Sequence, residues 1–239
     1  MRLLFTAFIT ALSFFSQAQA EIFQFKASDG VVVTADFNTP NAGAETVIVL
    51  YHMAGASRGE YLNIAERLNA LGYATLAVDQ RSGGQSNGIS NETVEAAGGS
   101  TNFVDATPDI VAASAWARQI TGVQRVGVLG SSYSAGLVLV LSAQVPGFAD
   151  AVMSFSPGEY YGSRNYVGRE VGKITVPVFL TAARGETGQW EPFAAKISSP
   201  LVGFVPNGSG RHGASALDSN DASEYWAALE GFLTQYLSP

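Results

Sequence analysis

Short apolar runs alternate with amphipathic segments along the chain, and turn residues separate them. Phe23–Lys26 and Val31–Phe37 flank Ser28-Asp29-Gly30; apolar alternation around an Asp-Gly turn predicts an antiparallel hairpin. Thr46–Tyr51 is almost wholly apolar or β-branched, the pattern of a strand covered on both faces. Apolar residues then recur at helical spacing over Arg58–Leu71, and Gly72 marks the stop.

The alternation continues with strands at Ala74–Val78 and Arg125–Leu129 and helices at Asp109–Ile120 and Tyr133–Gln144. Thr107-Pro108 supplies the start signal of the first helix, and Pro146 and Gly147 close the second. Ala149–Phe155, Val176–Ala182 and Leu201–Val205 are three more strand candidates, and Ser223–Leu237 is a closing amphipathic helix. This order predicts one α/β domain over residues 21–239: a mostly parallel central sheet, helices on both faces, and the N-terminal antiparallel hairpin at one edge. Arg81–Ala106 breaks the rhythm with Gly, Ser and Asn. A long connection inside a compact domain is usually functional, and this one is too short for a large lid.

Residues 1–20 follow a different rule. Arg2, the apolar run Leu3–Phe15 and the small-x-small site Ala18-Gln19-Ala20 have the form of a signal peptide cleaved after Ala20. The run is shorter than the ~18–20 apolar residues of a membrane span. A secreted or periplasmic protein is therefore expected, with no membrane association after cleavage.

Composition narrows the chemistry. With 239 residues, 47% of them hydrophobic and 14% charged, the chain can bury a large core. It has no cysteine, which excludes disulfides, thiol catalysis and thiolate-bound metal. A net charge of −7 without a basic cluster argues against nucleic acid and anionic membranes as partners. No His/Asp/Glu group has metal-ligand spacing, and no glycine-rich loop has a Walker lysine or G-x-G-x-x-G spacing, so no cofactor is expected.

The segment Arg125–Gly136 carries the strongest signal. A strand runs through a tight turn directly into a helix, which holds a side chain at the carboxyl end of a sheet beside a helix N-terminus. Such a turn demands small residues two before and two after its central residue. Ser131 would be flanked by Leu129 and Tyr133, which are bulky, and Ser134 lies too far into the helix. Ser132, between Gly130 and Ser134, is the candidate nucleophile, with Ser134 in place of the second Gly of G-x-S-x-G.

A serine hydroxyl needs a base. Of the two histidines, His212 lies in the glycine-rich loop Asn207–Gly213 after the last strand, the expected place when the order is Ser, acid, His. Glu186 is the first carboxylate after the strand before it and is the candidate acid; Glu191 and Asp218 are alternatives. His52 ends a strand and shapes the loop Met53–Ser57. The backbone N–H groups of Met53 and Tyr133 are the candidate oxyanion donors. Asp79 precedes the nucleophile, the wrong order for the acid, and is expected to organise its turn with Arg81.

Tyr51–Gly55, Gly59-Glu60-Tyr61, Leu68–Tyr73 and Val78–Gly84, together with the elbow and Arg211-His212-Gly213, resemble the dienelactone-hydrolase-related branch of the α/β-hydrolase superfamily. The likeness spans most of residues 21–239. It implies an α/β-hydrolase fold and a Ser132–His212–acid triad working through an acyl-enzyme. Dienelactone hydrolases proper use cysteine where this chain has Ser132, which favours a small carboxylic ester as substrate. Thioesterase and peptidase chemistry share the same machinery, and a non-catalytic binding protein on the same scaffold is the alternative from another class.

Overall fold

The computed structural model describes residues 20–40 and 43–239; the expected signal peptide, apart from Ala20, lies outside them. Eight strands form one sheet: β1 (Glu21–Lys26), β2 (Val32–Asn38), β3 (Thr46–Tyr51), β4 (Ala74–Val78), and, after a separate two-residue pair β5 (Gln85–Ser86) and β6 (Ile89–Ser90), β7 (Arg125–Ser131), β8 (Ala151–Phe155), β9 (Val178–Thr181) and β10 (Leu201–Phe204). Their spatial order is β1-β2-β4-β3-β7-β8-β9-β10. β2 runs antiparallel to both β1 and β4, and every other pairing in this sheet is parallel.

Side-chain alternation divides the core in two. Val47, Val49 and Tyr51 of β3 enter one apolar cluster, while Ile48 and Leu50 enter the other. The first face is filled by α3 (Thr107–Ala117), α4 (Tyr133–Gln144) and α5 (Thr187–Ala194). On the second lie α1 (Leu62–Ala70) and α6 (Ala222–Tyr236). A short helix α2 (Glu92–Ala96) packs near β2. Helix α4 is apolar all round because the first three-quarters of it, Tyr133–Leu141, is buried.

Three local features differ from the sequence expectation. The helix expected from Arg58 opens as a 3₁₀ turn over Arg58–Tyr61, capped by the Ser57 hydroxyl, before α1 begins. No element is expected over Thr187–Ala194, where helix α5 forms despite Pro192 because burial of Trp190 and Phe193 holds it against the sheet. The connection Arg81–Ala106 contains β5, β6, α2 and a 3₁₀ turn over Phe103–Ala106.

Asp79 does not pair with Arg81. Arg58 reaches Asp79 at 2.5 Å, Asp36 at 2.9 Å and Glu92 at 2.6 Å, while Arg81 binds Asp109 at 2.6 Å and Asp29 at 2.5 Å. Beyond the end of β4 the two side chains meet partners from different elements. Both cations are buried, and removing one partner of such a cluster would strand a charge away from water. The two clusters fasten the 81–106 connection to the carboxyl edge of the sheet.

Candidate active site

Ser132 occupies the turn between β7 and α4 with φ +58°. A left-handed backbone at a non-glycine residue costs roughly 1–2 kcal/mol and persists only where its surroundings fix it. Here the Ser132 N–H is held by the Phe155 carbonyl of β8 at 2.9 Å. A Cβ on Gly130 would lie 2.5 Å from the Ser134 carbonyl oxygen, so the position two before the serine has no room for a side chain. Two positions after it, the Ser134 hydroxyl donates to the His52 carbonyl at 2.6 Å and accepts from Gln80 Nε2 at 2.6 Å.

The structure brings Ser132, His212 and Glu186 into one hydrogen-bonded line. His212 Nε2 lies 2.8 Å from Ser132 Oγ, and His212 Nδ1 lies 2.6 Å from Glu186 Oε1. A carboxylate only accepts, so Nδ1 carries the imidazole proton and Nε2 is free to take the serine proton. The second carboxylate oxygen of Glu186 accepts from Ser156 Oγ at 2.7 Å, and Ser156 Oγ accepts from the Gly213 N–H at 2.9 Å. Glu191 is exposed on α5, and Asp218 is exposed with Asn63 and Arg211 as neighbours. Arg184 does not pair with Glu186; its guanidinium donates to the carbonyls of Gly208 and Pro206.

Tyr133 begins α4, so its N–H has no intrahelical acceptor and stands beside the nucleophile. The Met53 N–H departs from the sequence expectation. It donates to Glu60 Oε2 at 2.7 Å, because the 3₁₀ turn after β3 folds that carboxylate back onto it. The next amide, Ala54, lies on the exposed loop and makes no hydrogen bond among the described residues.

His52 is buried beneath this loop. Its Nδ1 donates to the Met53 carbonyl at 2.8 Å, and its Nε2 accepts from the Gln80 N–H at 2.9 Å. Burial holds its pKa down at about 4, so it stays neutral and shapes the loop. Gln80 is the residue that sequence reasoning missed here. Its side chain accepts from the His52 N–H at 2.9 Å and donates to Tyr133 Oη at 3.0 Å and to Ser134 Oγ, tying the β3 loop to the elbow.

A cleft of about 530 Å³ lies between residues 101–105 and 160–162, with polar Thr101, Asn102 and Asp105 in its walls beside Phe103, Tyr160 and Tyr161. Phe103 stacks on Tyr133 with ring centres 4.5 Å apart, and the Tyr161 hydroxyl donates to the Tyr133 carbonyl. The wall of the cleft thus rests on the residue next to Ser132. Among the described residues no cluster of His, Asp or Glu could hold a metal ion, and no helix is long and apolar enough to cross a membrane.

A family described as serine aminopeptidase, S33, matches residues 42–187. Among solved structures, an esterase of Pyrococcus furiosus is similar at TM-score 0.72 and 17% identity, with 92% of each chain covered. A dienelactone hydrolase of Anabaena variabilis is similar at TM-score 0.69 and 20% identity over 93% of this chain and 100% of that one. An acylaminoacyl peptidase of Pyrococcus horikoshii is similar at TM-score 0.69 and 15% identity, over 94% of this chain but 42% of that one. At these identities the structural likeness concerns the fold.

Proposed function

The chain belongs to the serine aminopeptidase S33 family and is an α/β hydrolase of the serine type, and on that premise we propose that it cleaves small carboxylic esters through an acyl-enzyme on Ser132. The observation that carries this reading is the unbroken line from Glu186 through His212 to Ser132, at 2.6 Å and 2.8 Å.

In the reaction, Ser132 Oγ attacks the ester carbonyl as its proton passes to His212 Nε2. Glu186 holds the ring in the right tautomer and stabilises the imidazolium that forms. The tetrahedral oxyanion is met by the Tyr133 N–H, with the Ala54 N–H as second donor in place of the engaged Met53 amide. His212 then gives its proton to the departing alkoxide oxygen. Water, deprotonated by the same nitrogen, releases the acid and restores Ser132.

The cleft beside Tyr133 supports a small, uncharged acyl group. Phe103, Val104 and the two tyrosine rings offer apolar contact beside the polar Thr101 and Asn102, and its one carboxylate, Asp105, would repel a second. The name of the S33 family favours one second reading, cleavage of an amide by the same residues.

Hydrolysis of p-nitrophenyl esters across acyl chain lengths, alongside an amino-acyl p-nitroanilide, tests both readings with wild type and Ser132→Ala. Activity greatest on short esters and lost in the variant is expected. Faster anilide cleavage would replace the esterase reading with the peptidase one. Failure on every substrate would favour a binding protein on a hydrolase scaffold. The proposal includes export to the periplasm or medium, supported by the leader pattern of residues 1–20. The exported chain should begin at Glu21; recovery with Met1 intact would overturn that part.

A further inference from the structure

The loop that carries His212 hangs from two serine hydroxyls, each backed by a carboxylate. On one side the Gly213 N–H donates to Ser156 Oγ, which donates to Glu186. On the other, the Ala214 N–H donates to Ser131 Oγ at 2.9 Å, and Ser131 Oγ donates to Glu60 Oε1 at 2.8 Å. The first relay ends on the triad acid. The second ends on a carboxylate that the reaction above does not use.

The other oxygen of Glu60 accepts from the Met53 N–H at 2.7 Å. Met53 opens the loop whose next amide, Ala54, is the second oxyanion donor of the proposed reaction. One carboxylate therefore joins three places: the loop after β3, the end of β7 next to the nucleophile, and the loop after β10 that carries the base. We propose that Glu60 is a positioning residue that fixes the oxyanion loop and the His212 loop to each other through the Ser131 hydroxyl. This inference rests on the roles given to Ser132 and His212 under the proposed function.

The hydrogen-bond chemistry fits the charged form. A carboxylate accepts on both oxygens, and Glu60 faces two donors. Ser131 Oγ accepts from the Ala214 N–H and gives its one proton to Glu60. The packing leaves little slack, because a Cβ on Gly213 would lie 2.5 Å from Ser131 Oγ and 3.0 Å from Met53 Cε. Burial opposes the charge and pushes the Glu60 pKa up to about 7, against the pull of Met53, Ser131 and His212. The other titratable groups around it are the phenols of Tyr61 and Tyr133, both held neutral by burial. Protonation of Glu60 would put a hydrogen where one of its two donors points, loosening one loop.

The test is ester hydrolysis by full-length mature protein, wild type and the variants Glu60→Gln, Glu60→Ala and Ser131→Ala, each normalised to folded protein by circular dichroism. Misplacing reacting groups by about an ångström costs on the order of 100-fold in rate. Glu60→Ala and Ser131→Ala should lose about 10- to 100-fold in kcat with KM little changed. Glu60→Gln keeps the shape and one acceptor, so it should recover part of that loss. On the acid side wild type should show an added, bounded fall in log kcat/KM as Glu60 takes up its proton, and Glu60→Gln, which has no group there to titrate, should lack that step. A purely structural role would lower the folded fraction and leave kcat and the pH profile of the folded enzyme alone. Wild-type kcat and profile in Glu60→Gln and Ser131→Ala would overturn the proposal, with the esterase reading intact if Ser132→Ala is inactive. Ester turnover by Ser132→Ala would instead overturn the reading beneath it.

Discussion

The Ser134 hydroxyl donates to the His52 carbonyl at 2.6 Å, which makes the serine that replaces the second glycine of the elbow a fastener between α4 and the end of β3. Its oxygen also accepts from Gln80 Nε2, so both neighbours depend on it. Ser134→Ala strands a buried carbonyl and a buried amide. It should cost about 1–3 kcal/mol in urea unfolding. Ser134→Gly should fall in the same range, since it too removes the hydroxyl. A midpoint unchanged in both variants would show that the two polar groups find other partners.

Glu186→Gln tests the acid directly. The amide can still accept from one side, but its NH₂ group must face either His212 or the Ser156 hydroxyl, so the ring loses its fixed tautomer. Ester turnover should drop by about 10²–10⁴. Glu191→Gln and Asp218→Asn should retain wild-type rates, because both carboxylates lie exposed and away from the Nδ1 that Glu186 occupies. A large loss in either, with Glu186→Gln active, would move the acid.

Stability should carry two opposed ionisations. Glu60 has its pKa raised from 4.5 to about 7, so the folded chain holds a proton that the unfolded chain releases. That contribution is full below pH 4.5 and is lost as pH rises towards 7. His52 has its pKa lowered from 6.5 to about 4, so the unfolded chain binds the extra proton. Its contribution is present above pH 6.5 and is lost as pH falls towards 4. Between about pH 4.5 and 6.5 the two slopes offset each other. Glu60→Gln removes one of them, and unfolding free energy should then rise with pH by up to ~1.4 kcal/mol per unit more than in wild type. Parallel stability profiles for the two proteins would contradict this assignment of the buried proton.

Phe103→Ala removes the ring that stacks on Tyr133 at the cleft wall. KM for aromatic or branched acyl esters should rise by about tenfold while kcat for acetate changes little, since an apolar contact of this size contributes ~1–2 kcal/mol to binding. Equal effects on acetate and bulky esters would place the acyl group elsewhere.

The sequence determined the parts that local chemistry controls. Period-two and continuous apolar runs are properties of neighbouring residues, and Thr46–Tyr51, Ala74–Val78 and Tyr133–Gln144 form elements with the expected limits. The elbow was legible because the turn at Ser132 needs small flanking residues, and the His212 loop because one histidine follows the last strand. Tertiary structure alone decided which polar groups meet. Asp79 takes Arg58 across 21 residues, Glu60 takes Ser131 across 71, and Ala214 reaches Ser131 across 83. These partners are set by which strand ends lie side by side, and β3 lies between β4 and β7 only once the sheet has assembled. Helix α5 was hidden for the same reason, because Pro192 weakens it locally and only the core beneath Trp190 and Phe193 holds it in place.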